Sequence, residues 1–385
     1  MTFFSSTAGR LGWTFAITSS AWFVFALDRL AVTTALPAIR TDLSADLTAT
    51  EWTVGAYTLS FAVLLMAGAA LGDRFGRRRM FAAGMALFAV GSAAAAPAPT
   101  VAVLVTARAL QGVGGAVFAP LALTMLTAAS PVGRRGAVLG AWGGIGGLGA
   151  AVDPLAGGAL TDWFGWQWIF WLNVPFGLAL APLALLRLAE SRGPHDRLDV
   201  RGVALSAAGM FGLVWAVTRA GDGGWTHADG FVGLVTGALL VTGFVAWQRR
   251  APSPMLPMHF FRSRGFTTAN LAALAMYAAL FGSLFLFTQL LQTGLGASPL
   301  EAGLRLLPMA VMPMLLAPLG GALSDRWGTR PLMAVGVGLV SVGLAWMAAV
   351  AAADVPYGAL VPPWSWWGAA PRCSSRPWRP PSWVR

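Results

Sequence analysis

Long apolar stretches alternate with short polar ones along most of the chain. The apolar runs read as 12–37, 51–71, 80–98, 100–126, 136–160, 167–188, 200–219, 230–248, 265–292, 299–323 and 331–352. A helix needs about 20 apolar residues to cross a hydrocarbon layer of about 30 Å. The pattern therefore predicts about eleven membrane-spanning helices. Two starts carry capping chemistry. Ser298-Pro299-Leu300-Glu301 places an N-cap serine before a proline at the first helical position and a glutamate two residues on. Thr48-Ala49-Thr50-Glu51 repeats the logic before the second run. The first run begins near Leu11 without a small-residue cleavage site, so it is expected to be a retained helix, not a signal peptide.

Composition sharpens the class. Hydrophobic residues are 57% of the 385 and charged residues only 11%, against about 25% charged in soluble domains. Length alone suggests two or three soluble domains, and this composition excludes them in favour of an all-α polytopic membrane protein. A net charge of +11 suggests nucleic acid until its distribution is read. All the basic residues are arginine, and most sit in short loops. Sixteen arginines follow even-numbered runs and two follow odd-numbered ones. By the positive-inside rule the N-terminus is cytoplasmic in a multi-pass protein of the cell (inner) membrane, with the lipid bilayer as partner and no nucleic acid. The single cysteine, Cys373, excludes an intramolecular disulfide framework, and His195, His227 and His259 all fall in loops. No metal site and no catalytic constellation is expected inside the bilayer, so the chain does not read as an enzyme.

One charged phrase is written twice. ALGDRFGRRR starts at Ala70 and ALSDRWGTRP at Ala322, identical at six of ten places. The first lies between runs two and three, the second between runs ten and eleven. Both fall on the cytoplasmic side. The repeat predicts a duplicated helical bundle in which the phrase marks the same corner of each copy. Residues 1–190 read as an N-terminal six-helix bundle and 191–264 as two inserted helices with cytoplasmic linkers. Residues 265–361 read as a partial second bundle of about three helices.

These residues resemble the major facilitator superfamily. Leu71, Asp73, Arg74, Gly76, Arg77 and Arg78 match its cytoplasmic loop signature, with Ala69 where glycine is usual. Gly321, Leu323, Asp325, Arg326, Gly328 and Arg330 match it again. LVTARALQGVGGA (104–116) is similar to the fourth-helix motif, with Arg108, Gln111 and Gly112 in place. GAAVDPLAGG (149–158) is similar to the fifth-helix antiporter motif through Pro154, Gly157 and Gly158. LDRLAVTTALP (27–37) and WQWIFWLNVPFG (166–177) resemble the fourteen-helix drug:proton antiporter branch. The resemblance implies a breakable cytoplasmic latch built on the two phrases. It also implies a proton-coupled exporter of amphipathic or cationic small molecules working by alternating access. That transporter needs no cofactor beyond the proton motive force and is expected to be a monomer. A solute:proton symporter of the same fold is the alternative.

Intramembrane charge points to the chemistry. Asp28, Arg108 and Asp153 are the charges placed deep inside apolar runs, with Arg29 and Arg305 less securely placed; a central charge costs about 2.5–3.5 kcal/mol on insertion scales. The family resemblance implies that Asp28 and Arg108 meet, either as a proton-coupling pair or as a static brace, and Arg29 competes for Asp28. Asp153 stands where the motif has glycine. It reads either as a second proton site or as a substitution that stays protonated. Tyr57, Asn270, Tyr277, Gln289 and Gln292 are polar candidates for a substrate cavity; Phe118, Phe281, Phe285 and Met309 are apolar ones.

The last stretch, 362–385, is rich in Pro, Trp and Arg and has no apolar run long enough to span. Read one base out of register, its tryptophan codons become Leu, Val or Met codons. It is therefore expected to be an out-of-frame tail that truncates the second bundle, and a non-functional product is the third reading. A Trp- and Arg-rich tail lying on the membrane surface is the plainer one.

Overall fold

The computed structural model describes residues 7–193, 199–223, 228–296 and 299–350. The tail from 351 onward and Ser298 lie outside the described residues. Among those described, every long element is an α-helix, and each of the eleven apolar runs is one. They are α1 (Thr7–Asp42), α2 (Leu47–Phe75), α3 (Arg77–Ala95), α4 (Val101–Ala129), α5 (Arg135–Phe164) and α6 (Gln167–Arg187). After these come α7 (Val200–Gly223), α8 (Ala228–Gln248), α9 (Arg264–Gln289), α10 (Pro299–Trp327) and α11 (Thr329–Val350). By length and composition alone, six of them are apolar enough to span a membrane: α2, α4, α6, α7, α8 and α11.

The helix ends follow local chemistry. The α2 start is two residues earlier than Thr48 suggests. Asp46 is the cap, its Oδ1 accepting from the Ala49 N–H at 2.6 Å. A carboxylate there satisfies an orphan donor and also meets the positive end of the helix, which a threonine hydroxyl cannot do. Both copies of the repeated phrase build the same one-residue hinge. Gly76 (φ +104°) separates α2 from α3, and Gly328 (φ +85°) separates α10 from α11. Each glycine N–H returns to a carbonyl four residues back, Gly72 or Ser324, at 3.0 Å. Only glycine adopts such a φ without strain.

The chain forms two compact units, Met1–Ala129 with Ala156–His259, and Ser130–Leu155 with Phe260–Arg385. In the first, α4 is the central post, packed against α1, α2 and α3, while α6 lies on α1 and α3. Glycines bring α4 close to its neighbours. A Cβ on Gly112 would fall 2.4 Å from the Tyr57 carbonyl oxygen of α2, and one on Gly91 of α3 would fall 2.8 Å from the Gln111 nitrogen. Such contacts let small-residue helices approach closely where lipid supplies no hydrophobic drive. Phe118 fills the space between, edge-on to Phe25, Phe81 and Phe88. It is a packing residue with no exposed surface, not a cavity wall. The pair α7–α8 packs on itself and meets α2 through Trp52 and Trp215, 5.6 Å apart. In the second unit the start of α5 crosses α10 backbone to backbone. A Cβ on Gly136 would lie 2.3 Å from the Gly321 oxygen, and one on Gly321 would lie 2.0 Å from the Gly136 oxygen.

Candidate functional site

The first unit holds a polar cluster sealed inside five helices. Asp28 on α1 and Arg108 on α4 are both 0% exposed, and Arg108 Nη1 donates to Asp28 Oδ2 at 2.6 Å. The same nitrogen donates to Gln111 Oε1 at 2.8 Å, and Arg108 Nε donates to the Thr53 carbonyl of α2 at 3.1 Å. Three-residue spacing puts Arg108 and Gln111 on one face of α4. Gln111 Nε2 donates to Asp28 Oδ1 at 2.9 Å and to Ser92 Oγ of α3 at 2.6 Å. Asn173 Nδ2 of α6 donates to Asp28 Oδ1 at 2.6 Å. The guanidinium carbon lies 4.1 Å from the Tyr57 ring centre and 5.7 Å from that of Phe170. A bare charge would be costly here. The pair persists because opposite charge, two amides and two aromatic faces replace its water.

Sequence reasoning paired Asp28 with Arg108, took Gln111 only as a motif position and Tyr57 as a cavity candidate, and missed Ser92, Asn173 and Phe170; Tyr57 is 1% exposed and lies against the Arg108 guanidinium. The readable signal was an asparagine set in the otherwise apolar stretch WLNVP. Gly157 lies close to α1: a Cβ there would fall 2.6 Å from Thr34 Oγ1, whereas one on Gly158 would meet nothing within 4 Å. The side chains of Asp153, Pro154, Phe281, Phe285 and Met309 lie outside the described part. Asn270, Tyr277 and Gln289 are all exposed on α9, and Asn270 Nδ2 donates to its own helix at the Phe266 carbonyl. Gln292 sits in a π-helical turn, Leu290–Gly294, that continues α9.

The two repeated loops differ in detail. In the first, Asp73 pairs back to Arg77, with Nη2 at 2.7 Å and Nε at 2.9 Å from Oδ1. The segment after α6 closes over the turn. Ser191 O accepts from the Arg77 N–H at 2.9 Å and Glu190 Oε1 from the Arg78 N–H at 3.0 Å, while Gly193 N–H donates to the Asp73 carbonyl at 2.9 Å. Glu190 also sits 3.6 Å and 3.7 Å from the guanidinium nitrogens of Arg78 and Arg79. Its role was not foreseen. In the second loop Asp325 reaches α5: Oδ1 accepts from the Gly136 N–H and Oδ2 from the Ala137 N–H, each at 3.0 Å. Arg74, Arg326 and Arg330 are exposed.

A family model described as "Major Facilitator Superfamily" matches residues 18–370. The chain belongs to the major facilitator superfamily. Similar proteins include the tetracenomycin C resistance and export protein of Streptomyces glaucescens, 37% identical over 321 residues, 83% of this chain and 60% of that protein. The multidrug efflux pump LfrA of Mycolicibacterium smegmatis is 38% identical over 325 residues, 83% of this chain and 64% of the pump. The chain thus spans about 60% of the length of the curated relatives it matches. Among solved structures, the proton:xylose symporter XylE bound to 6-bromo-6-deoxy-D-glucose superposes with a TM-score of 0.66 at 16% identity, covering 95% of this chain and 80% of that one. That likeness speaks to the fold alone.

Proposed function

We propose that this superfamily member is a proton-coupled exporter of amphipathic or cationic small molecules, of the fourteen-helix drug:proton antiporter branch. The observation that carries this reading is the buried Asp28–Arg108 pair, held by side chains from α1, α3, α4 and α6. Relatives named as export and resistance proteins supply the substrate class. Adding a proton to Asp28 cancels the charge that Arg108 faces, and the freed guanidinium biases one arrangement of the helices over another. One proton moving inward through 100 mV supplies about 2.3 kcal/mol, enough to shift such an equilibrium by more than tenfold. In this reading two related bundles alternate access around a cavity, with α7 and α8 as the inserted pair, and the two Asp-Arg-x-Gly loops latch the cytoplasmic side. The protein works as a monomer in the inner membrane with its N-terminus in the cytoplasm, and draws only on the proton motive force. Asp153 is either a second acid of the pathway or a substitution that stays protonated.

The test is efflux of a fluorescent cation from energised cells expressing the full chain. Efflux faster than in empty cells, lost on adding an uncoupler and lost in Asp28→Asn at equal membrane abundance, is the expected result. Uncoupler-insensitive behaviour identical to empty cells overturns the reading. Proton-driven accumulation in place of efflux favours the symport alternative. Asp153→Gly, which restores the motif's residue, separates the two roles of that acid. A second proton site predicts at least a severalfold slower efflux, and a passive substitution predicts none.

A further inference from the structure

Two amides hold Asp28, and they differ in what they are free to do. Gln111 is committed at both ends: Oε1 accepts from Arg108, and Nε2 donates to Asp28 and Ser92. Turning it over would face its NH2 group at the guanidinium. Asn173 is committed at one end only. Its Nδ2 donates to Asp28 Oδ1 at 2.6 Å, while its Oδ1 has no hydrogen-bond partner among the described residues although Asn173 is 0% exposed. A buried acceptor without a partner is uncommon and costs free energy unless it serves another state.

We infer that Asn173 is the positioning residue that lets Asp28 hold a proton, by turning its amide over and accepting the carboxyl O–H on Oδ1. This rests on the proton-coupled reading above. The step is balanced: one proton from the aqueous phase forms the O–H bond on Asp28 Oδ1, the carboxylate becomes neutral, and no other covalent bond changes. An ionised carboxylate only accepts, so it faces the amide NH2. A protonated carboxyl donates, so it faces the amide oxygen. The final torsion of asparagine is broad and roughly two-fold, so one side chain offers both ends without moving its helix. Gln111 keeps its donor on Oδ1 and Arg108 remains on the other carboxyl oxygen in the turned-over state. A donor-only side chain at position 173 would serve the ionised form alone.

Few other groups compete. Among the described residues, the charged and titratable groups placed with Asp28 are Arg108 from α4, which pairs with it, and Tyr57 from α2, which Asp28, Arg108 and Arg29 all influence. Ser92 from α3 and Asn173 from α6 do not titrate. Hence the polarity of the hydrogen bond at Asn173 is the part of the cluster that reverses with the proton.

The chain contains two asparagines, Asn173 and Asn270, so asparagine side-chain 15N labelling is nearly site-specific. The experiment is infrared difference spectroscopy of the full chain in lipid, between acid and alkaline pH. Wild type should show a protonated-carboxyl C=O band that Asp28→Asn removes. The labelled amide band should change over the same pH step and be lost in Asn173→Leu, which keeps the branching of the side chain and removes both polar ends. In Asn173→Leu the carboxyl band should shift to higher wavenumber, as for an O–H without an acceptor. A carboxyl band that does not move, with an amide band silent across the step, overturns the inference and leaves proton coupling standing. Absence of any Asp28-dependent band overturns both. If Asn173→Leu does not fold, the labelled wild type decides by itself: an amide change that tracks the carboxyl supports the turnover, and none refutes it.

Discussion

The two copies of the Asp-Arg-x-Gly phrase turn the chain in the same way and then use their acids differently. Gly76 and Gly328 both take a left-handed φ and both close onto a carbonyl four residues back. Asp73, however, spends its Oδ1 on Arg77 of its own turn. Asp325 has no arginine at the matching place, because position 329 is threonine. Its two oxygens go instead to the N–H groups of Gly136 and Ala137 at the start of α5. These are orphan donors of a helix N-terminus, where a carboxylate is favoured by hydrogen bonding and by the helix dipole. The start of α3 is capped from elsewhere, by Ser191 O and Glu190. A shared motif therefore fixes the hinge, while the residue four places beyond the acid governs where the acid points.

The largest break is expected at the crossing that brings Asp325 within reach. Gly136→Val should force α5 off α10, because the new Cβ would sit 2.3 Å from the Gly321 oxygen, a backbone atom that cannot swing aside. A loss of about 3 kcal/mol or more is expected, above the usual range for overpacking because no side chain can yield. It is read as a lower thermal midpoint in detergent. Gly133→Ala is the control, since a Cβ there meets nothing within 4 Å. If both variants melt with wild type, the crossing contributes nothing. Asp325→Asn keeps one acceptor and loses the charge and the second bond, and should cost about 1–2 kcal/mol. Amide hydrogen exchange at Gly136 and Ala137 should quicken correspondingly, and no change there removes Asp325 from its role as cap.

Hydropathy located the eleven α-helices among the described residues because each carries an apolar run near 20 residues. The repeat located both hinges because a left-handed φ demands glycine. Charges in apolar runs marked Asp28 and Arg108 as costly groups in need of partners, and the family resemblance implied that they meet. Asn173 was not, since an amide carries no charge and its role depends on which face of α6 meets α1. Glu190 was hidden for a similar reason: a lone acid after a helix resembles any solvated one until the segment 188–193 folds over Gly76. The α2 cap was misplaced because threonine and aspartate both suit that position, and only geometry shows that Asp46 reaches the Ala49 N–H.

The finest test exchanges the residue that distinguishes the copies. Thr329→Arg gives Asp325 the i+4 partner that Asp73 has. An exposed pair of that kind stabilises by only about 0.3–0.5 kcal/mol. It nonetheless competes directly for the oxygens that cap α5, so exchange at Gly136 and Ala137 should rise about twofold while the helices stay intact. The reverse change, Arg77→Thr, releases Asp73 from its own turn. Its global cost should be no more than about 0.5 kcal/mol, because Glu190 and Ser191 still cap α3. If Thr329→Arg leaves the α5 cap untouched, packing of Gly136 on Gly321 positions Asp325, and the residue four beyond it is incidental. If the cap loosens without a fall in thermal midpoint, a single side chain sets the division of labour between two otherwise equivalent loops.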